Sequence, residues 1–126
     1  MALIKFDDYR NIYQVEGFQK EFEEVLDETD TNGRYHKWLR RKLSVLEANG
    51  YGGLIDRDFE KIEDTNPKLY AIRYPKSKKN PRIVYAYVDN GEVILLHTFL
   101  EKSKKTSSDY RAAIKIATNR LKSLQE

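Results

Sequence analysis

The chain has 126 residues, of which 40% are hydrophobic and 34% are charged, a composition that favours one globular domain with a core over a disordered chain. It contains no cysteine, which excludes disulfide bonds and thiolate metal sites, and no apolar run is long enough to span a membrane. The N-terminal segment MALIKFDDYR lacks the basic and then apolar pattern of a signal peptide. We therefore predict a cytoplasmic protein with a single domain over residues 1–126 and with neither a metal ion nor another cofactor.

The charge is unevenly distributed along the chain. Residues 1–32 carry three Lys or Arg and nine Asp or Glu, a net charge of −6, whereas residues 33–126 carry 20 and 11, a net charge of +9. A basic region of this size favours a polyanionic partner such as a nucleic acid, although a basic surface also aids solubility.

The first predicted elements are a strand and two helices. Leu3, Ile4 and Phe6 predict a short edge strand. Apolar residues at helical spacing predict one helix within residues 16–30 and another within residues 34–50, and the short turn between them makes a helical hairpin.

The second half of the chain predicts a β-meander and a last helix. A turn-rich segment with one short element at Phe59–Ile62 precedes three strands, whose sequences are LYAIRY, RIVYAYV and EVILLHTF. The dipeptide Asn90-Gly91 predicts a hairpin between the last two strands, and apolar residues spaced by four and three predict a helix over residues 107–124. The element order is then β-α-α-β-β-β-α. The predicted fold class is α+β, in which a short N-terminal strand and a helical hairpin pack on an antiparallel meander, with a C-terminal helix.

The alternation of side chains along a strand predicts that two arginines share one face of the meander. Arg73 shares its face with Ala71 on the first of the three strands, and Arg82 shares its face with Ala86 on the second. The small neighbours predict open space above this face, where two guanidinium forks would suit a phosphate. The alternative is that both arginines reach solvent or pair with carboxylates.

Six lysines fall in two segments next to the predicted strands. They are Lys76, Lys78 and Lys79 in the loop between the first two strands, and Lys102, Lys104 and Lys105 after the third strand. The first group is either a solvated turn or a contact for RNA. The second group precedes the N-terminus of the last helix, whose free N–H groups and dipole favour anions.

Two further residues have side chains that fit proton transfer. His97 lies in the third strand of the meander, where the alternation predicts a face shared with Val93, Leu95 and Phe99. It is either a hydrogen-bonded core residue or, if it faces the arginines, a group that exchanges a proton near neutral pH. Tyr110, one turn into the last helix, is either a core residue or a catalytic one.

These motifs, in this order and spacing, resemble the RelE/ParE toxin superfamily, and most closely its HigB-like, phage-derived branch of type II toxin–antitoxin systems. The likeness extends over roughly residues 15–125 and rests on LYAIR, RIVYAYV and LLHTFLEKSKKT. The sequence departs from the family pattern at several positions. Glu101 stands where the branch usually has a lysine, Ser107 stands where it has a proline, and Tyr70 and Ile72 stand where RelE has two lysines that matter for cleavage.

The resemblance implies a small cytoplasmic toxin that inhibits translation by cleaving mRNA without a metal ion, usually on the ribosome. A ribose 2′-OH would attack the adjacent phosphorus and leave a 2′,3′-cyclic phosphate. In this scheme Arg82 and then Arg73 stabilise the phosphate, and Lys102 supports them. His97 or Tyr110 transfers a proton, and the remaining lysines of the two segments bind RNA.

The resemblance also implies partners and leaves two other functions open. A cognate antitoxin, often a helix-turn-helix DNA-binding protein, would neutralise the toxin and connect it to operator DNA. The alternatives are a ParE-like inhibitor of DNA gyrase, which binds without hydrolysis, and a non-catalytic antitoxin-binding or phage interaction module.

Overall fold

The structure is a computed structural model that describes residues 2–26, 33–49, 58–74, 81–88, 91–101 and 106–125. Within these ranges the chain forms six strands and three helices. They are β1 (Leu3–Lys5), β2 (Ile12–Val15), α1 (Phe18–Leu26), α2 (Arg34–Asn49), β3 (Phe59–Ile62), β4 (Leu69–Arg73), β5 (Pro81–Val88), β6 (Glu92–Leu100) and α3 (Thr106–Gln125).

The strands form one mixed sheet in the order β1-β2-β6-β5-β4-β3. After β2 the chain passes through α1 and α2 to β3 at the far edge, and the antiparallel meander β3-β4-β5-β6 returns to β2. The last step brings β6 beside β2 in parallel, whereas the other neighbouring strands are antiparallel. The α+β prediction of a short N-terminal strand, a helical hairpin, a meander and a C-terminal helix is confirmed.

The sequence prediction missed one strand and left the type of another open. β2 was not predicted, although Ile12 and Val15 are buried in the core. The short element at Phe59–Ile62 is a strand at the edge of the sheet, beside β4. The predicted edge strand near the N-terminus is β1, which pairs with β2 and lies at the other edge.

The helices form where the apolar spacing predicts them. All five residues of the predicted α2 stripe are buried, namely Tyr35, Trp38, Leu39, Leu43 and Leu46. On α1 the apolar residues of the stripe that are buried are Phe18, Phe22 and Leu26. Gly33 just before α2 has a φ of +65°, a left-handed conformation that glycine adopts without a steric penalty, and its carbonyl accepts the N–H of Lys37 in the first turn.

The two faces of the meander are covered by different helices. Tyr74 contacts Tyr35 and Trp38 at ring-centroid distances of 4.7 and 5.1 Å, so α2 packs on the face opposite the arginines. On the opposite face α3 packs against β5 and β6, and its Tyr110 meets Phe99 edge to face at 5.3 Å.

The predicted open space on the arginine face is wrong, because α3 packs against that face. Ala71, Val84 and Ala86 are at most 1% exposed, and α3 buries Ala113 and Ala117 in the same core. Small side chains on both surfaces allow a helix and a sheet to approach closely. The small residues therefore make room for α3 rather than for a ligand.

A β-bulge changes which residues of β6 share a face. Val84 pairs with His97, but the next residue, Tyr85, pairs with Leu95, so Leu96 is the extra residue. His97 therefore lies on the face of the arginines, whereas Leu95 pairs with a tyrosine of the opposite face. The prediction that His97 shares a face with Leu95 and Val93 is wrong, and only its shared face with Phe99 is confirmed.

Candidate functional site

The two arginines of the meander lie opposite each other on neighbouring strands. Arg73 of β4 is the register partner of Arg82 of β5, and Arg82 is in turn opposite Phe99 of β6. Directly opposite residues of antiparallel strands point to the same face of a sheet, so the prediction that the arginines share a face is confirmed.

Arg82 is held by three acceptors at the C-terminal end of β6. Its Nη1 donates to the carbonyl oxygens of Tyr74 and Pro81 at 3.2 and 3.3 Å, and its Nη2 donates to Oε2 of Glu101 at 2.6 Å. The side chains of Arg82 and Glu101 are 11% and 18% exposed, so this ion pair is mostly removed from water. An ion pair in such a place binds more strongly than one on the surface, because solvent screens it less.

A second carboxylate lies beside Arg73. Glu60 of β3 accepts a hydrogen bond from the Tyr110 hydroxyl at 2.6 Å through Oε1, and its Oε2 lies 3.8 Å from Nε of Arg73. The side chains of Arg73 and Glu60 are 43% and 33% exposed, so this pair is more accessible than the pair of Arg82 and Glu101.

Tyr110 is hydrogen-bonded to the carboxylate of one ion pair and lies near the other. Burial, followed by the hydrogen bond and the negative charge of Glu60, raises the pKa of Tyr110 well above its ordinary value of 10.0. The positive charge of Arg82 lowers the pKa of Tyr110, and the negative charge of Glu101 raises it, so both charges are close enough to act on the phenol. At neutral pH Tyr110 is therefore a neutral hydrogen-bond donor. We call these five residues the arginine cluster: Glu60, Arg73, Arg82, Glu101 and Tyr110.

His97 belongs to a different set of contacts, along the edge of β6. Its Nδ1 lies 3.0 Å from Oε1 of Glu21, which also accepts the backbone N–H of Thr98 at 3.1 Å. The two terminal nitrogens of Arg120 donate hydrogen bonds to the two oxygens of the same carboxylate, at 2.9 and 2.8 Å. Nη1 of Arg120 also donates to the carbonyl oxygen of Leu96 at 2.8 Å. We call these residues the edge cluster: Glu21, His97, Thr98 and Arg120.

The edge cluster satisfies strand groups that β2 does not reach. The register between β2 and β6 ends at Leu95, and the Leu96 carbonyl and the Thr98 N–H bind Arg120 and Glu21 instead. Burial alone would raise the pKa of Glu21, but the hydrogen bonds from His97 and Arg120 outweigh burial and lower the pKa to about 2. Because Glu21 is thus an ionised acceptor, Nδ1 of His97 carries the proton between them and does not accept another.

The other predicted site residues fall outside the part of the chain that the structure describes. These are Lys76, Lys78, Lys79, Lys102, Lys104 and Lys105. Of the five predicted catalytic residues, the structure therefore brings together Arg73, Arg82 and Tyr110. It holds His97 on the same face but in the edge cluster, and it does not describe Lys102.

Four charged residues of these clusters were not predicted as site residues, although the sequence gives each a signal. Glu21 and Arg120 lie next to the apolar stripes of α1 and α3, where a charged side chain can reach the core boundary. Glu60 interrupts a short apolar element, and Glu101 is the departure from a family lysine noted above. None of these sequence features identifies the residue of opposite charge with which each of the four forms its ion pair.

On the opposite face of the sheet, a surface cleft of about 270 Å³ lies between α2 and the ends of β3 and β4. It is lined by Trp38, Arg41, Lys42, Val45, Asp58 and Tyr74. Lys42 is neutralised there by Asp58 at 2.7 Å, and neither arginine of the arginine cluster reaches this cleft.

The fold and the site define a class of small α+β proteins in which one face of an antiparallel meander carries two opposed arginines beneath a C-terminal helix. The family model described as phage-derived protein Gp49-like (DUF891) matches residues 24–122, and the chain belongs to that family. The Gp49-like family is part of the RelE/ParE-like toxin–antitoxin superfamily, is compatible with a toxin, and suggests a cognate antitoxin as partner.

No curated protein and no solved structure matches the chain significantly. In the described part of the chain, no helix is long and apolar enough to cross a membrane.

Proposed function

We propose that this protein is a toxin of a type II toxin–antitoxin system, from the HigB-like branch, and that it inhibits translation by cleaving mRNA on the ribosome. The proposal rests on family membership and on one observation: Arg73 and Arg82 are opposed on a single sheet face, next to a hydrogen-bonded Glu60–Tyr110 pair. The proposed partners are a helix-turn-helix antitoxin, the ribosome and mRNA, with operator DNA bound only through the antitoxin. The proposed toxin is a single cytoplasmic domain over residues 1–126.

The arginine cluster contains the groups that metal-free RNA cleavage requires. The 2′-oxygen forms a bond to phosphorus while the bond from phosphorus to the 5′-oxygen breaks, so negative charge grows on the phosphoryl oxygens. Arg82 and Arg73 would stabilise that charge through their guanidinium donors. Lys102 would add to them and the other five lysines would hold the RNA backbone.

The proton moves from the 2′-oxygen to the 5′-oxygen in this reaction. Glu60 is a carboxylate that is one-third exposed, and it would accept the 2′-proton. Tyr110 would give its proton to the departing 5′-alkoxide, which is more basic than a phenolate, and would recover a proton from Glu60 through their hydrogen bond. His97 lies in the edge cluster with its Nδ1 bound to Glu21, so only its Nε2 would be available for proton transfer.

One observation favours a second candidate function, the non-catalytic binding module. Both arginines have a carboxylate beside them, Glu60 at Arg73 and Glu101 at Arg82. A cluster that is already neutralised resembles a structural ion-pair network, which perturbs pKa values without performing chemistry. The ParE-like alternative has no comparable support from the described residues, and the experiment below tests it as well.

The test is induced expression of the wild type, of Arg82→Ala and of a matched control, Arg111→Ala, which removes the same charge from the exposed surface of α3. We expect the wild type and the control to arrest growth, with rapid loss of mRNA and fragments that end in a 2′,3′-cyclic phosphate, and Arg82→Ala to do neither. Growth arrest with intact mRNA and an SOS response would favour gyrase inhibition. The absence of any growth effect would favour the non-catalytic module. Cleavage by purified protein with and without ribosomes then tests the ribosome dependence.

A further inference from the structure

Arg82 combines burial with an unused hydrogen-bond donor. Its side chain is 11% exposed, and its two terminal nitrogens donate to Tyr74, Pro81 and Glu101. Its Nε–H is buried and makes no hydrogen bond to any group that the structure describes. A buried donor on a charged group costs free energy when it has no acceptor. A ligand that offers an acceptor to this N–H would therefore be stabilised in the site.

The position of this donor determines what kind of ligand suits it. Nε–H and one N–H of Nη2 lie on the same side of a guanidinium and point in parallel, so two oxygens of one planar or tetrahedral anion can bind them together. The hydrogen bond that joins Arg82 to Glu101 runs from Nη2 to one carboxylate oxygen, Oε2. The carboxylate therefore uses half of the fork.

Glu101 is also placed so that it can leave Arg82. It follows Leu100, the last residue of β6, so the ladder of backbone hydrogen bonds does not fix its position. Its side chain retains 18% exposure, which gives the carboxylate a route to solvent.

We propose that Glu101 is the specificity-determining residue of the arginine cluster: it keeps single-contact anions away from Arg82 and yields only to an anion that fills both Nε and Nη2, as a phosphodiester does. A chloride ion or a single oxygen atom would replace the contact of Glu101 with Nη2 by an equivalent contact, so its binding would bring no net gain in free energy. The two non-bridging oxygens of a phosphodiester replace the contact of Glu101 and also satisfy Nε–H. The identification of RNA as the natural source of this phosphodiester rests on the proposed function, but the discrimination itself follows from the geometry of Arg82.

The experiment titrates the full-length, ¹⁵N-labelled protein with the dinucleotide dTpdT, which carries one phosphodiester and has no 2′-OH, and separately with chloride. The Nε–H resonance of Arg82 is the reporter. For the wild type we expect a saturable shift with dTpdT and none with chloride. The variant Glu101→Gln, which removes the competing charge, should bind dTpdT about tenfold more tightly and should now let chloride compete. The matched control Glu24→Gln, an exposed residue of α1 with the same loss of charge, should change the affinity less than twofold.

Three results would overturn the role of Glu101: equal responses of the wild type to dTpdT and chloride, no gain in affinity for Glu101→Gln, or an equal gain for Glu24→Gln. If Glu101→Gln does not fold, Glu101→Ala takes its place in the same titrations, with the same expected results. The titration measures binding and not cleavage. If the protein binds dTpdT as described but leaves mRNA intact in cells, the nuclease function is contradicted and the role of Glu101 is retained. If the protein cleaves mRNA but does not distinguish dTpdT from chloride, the nuclease function is retained and the role of Glu101 is contradicted.

Discussion

The arginine cluster and the edge cluster both join an arginine to a glutamate next to β6, but they use the donors of that arginine differently. In the edge cluster Arg120 binds both oxygens of Glu21 and a strand carbonyl, and the carboxylate also accepts from His97 and Thr98. In the arginine cluster Glu101 touches one nitrogen of Arg82, and Nε–H has no acceptor among the described residues.

Under the proposed function, this difference separates a structural ion pair from a binding site. A charged network in which both carboxylate oxygens and both strand groups have a partner stabilises one arrangement of the elements it connects, here α1, β6 and α3. A network with a donor left over in a buried place is less favourable by itself and becomes favourable when a ligand arrives. Changes in the edge cluster should therefore affect stability, and changes in the arginine cluster should affect anion binding and RNA cleavage.

The largest expected effect is the loss of RNA cleavage in Arg82→Lys. Lysine keeps the positive charge but lacks the planar fork, so it cannot hold two phosphate oxygens at once, and we expect cleavage to fall about 100-fold. The rate of mRNA cleavage by purified protein measures this, and urea denaturation checks that the variant remains folded under the assay conditions. A cleavage rate within threefold of the wild type would contradict the role of the fork.

The next effect is the dependence of stability on pH through Glu21, which faces His97 of β6 and Arg120 of α3. Folding lowers the pKa of Glu21 from its ordinary value of 4.5 to about 2, so its contribution is complete above pH 4.5 and is lost as the pH falls from 4.5 towards 2. With a discount for the 23% exposure of this side chain, the loss is on the order of 2 kcal/mol.

The measurement is urea denaturation of the wild type and of Glu21→Gln between pH 5 and pH 2. Glutamine does not titrate, so the difference in unfolding free energy between the two proteins should shrink as the pH falls. Glu24→Gln, on the exposed side of α1, serves as the control and should follow the wild type. A constant difference across this range would show that Glu21 is not held in its ionised form by folding.

A smaller effect on stability is expected for Arg120→Lys. A lysine retains the charge opposite Glu21 but cannot bind both of its oxygens and the carbonyl of Leu96 together, and we expect a loss of about 1.5 kcal/mol. The control is Lys115→Arg on the exposed surface of α3, with an expected change below about 0.5 kcal/mol. RNA cleavage should remain within twofold of the wild type. If cleavage falls as it does in Arg82→Lys, the two clusters are not separate.

The smallest effect is predicted for Tyr110→Phe, which removes the hydroxyl that donates to Glu60 and leaves the ring against Phe99. We expect cleavage to fall about fivefold, less than for a typical general acid, because water can protonate the departing 5′-oxygen in place of the phenol. Stability should decrease by about 1 kcal/mol, because one hydrogen bond is lost while the packing remains. An RNA substrate with a more acidic leaving group at the 5′ position tells the two roles apart, because it needs no proton from Tyr110. Its cleavage should be unaffected by Tyr110→Phe if the hydroxyl acts as the acid, and reduced like that of ordinary RNA if the role is purely structural.

The sequence by itself determined the parts of the molecule that depend on local spacing. The period of the apolar residues placed α1, α2 and α3, and the alternation in LYAIRY and RIVYAYV put Arg73 and Arg82 on one face, as the register confirms. These features are local because 3.6- and 2-residue periods need only the neighbouring residues to be recognised. Three motifs in order also led to the superfamily that contains the Gp49-like family.

Only the tertiary structure decided the features that join distant residues. The parallel pairing that makes β2 a strand, the bulge that puts His97 on the arginine face, and the packing of α3 on that face all depend on long-range contacts. The partners within the clusters are just as distant: Glu60 and Tyr110 are 50 residues apart, and Glu21 and Arg120 are 99 apart. Local patterns fix which way a side chain points, but the partner that meets it depends on how the elements pack. The use that Arg82 makes of its donors is therefore a property of the folded molecule.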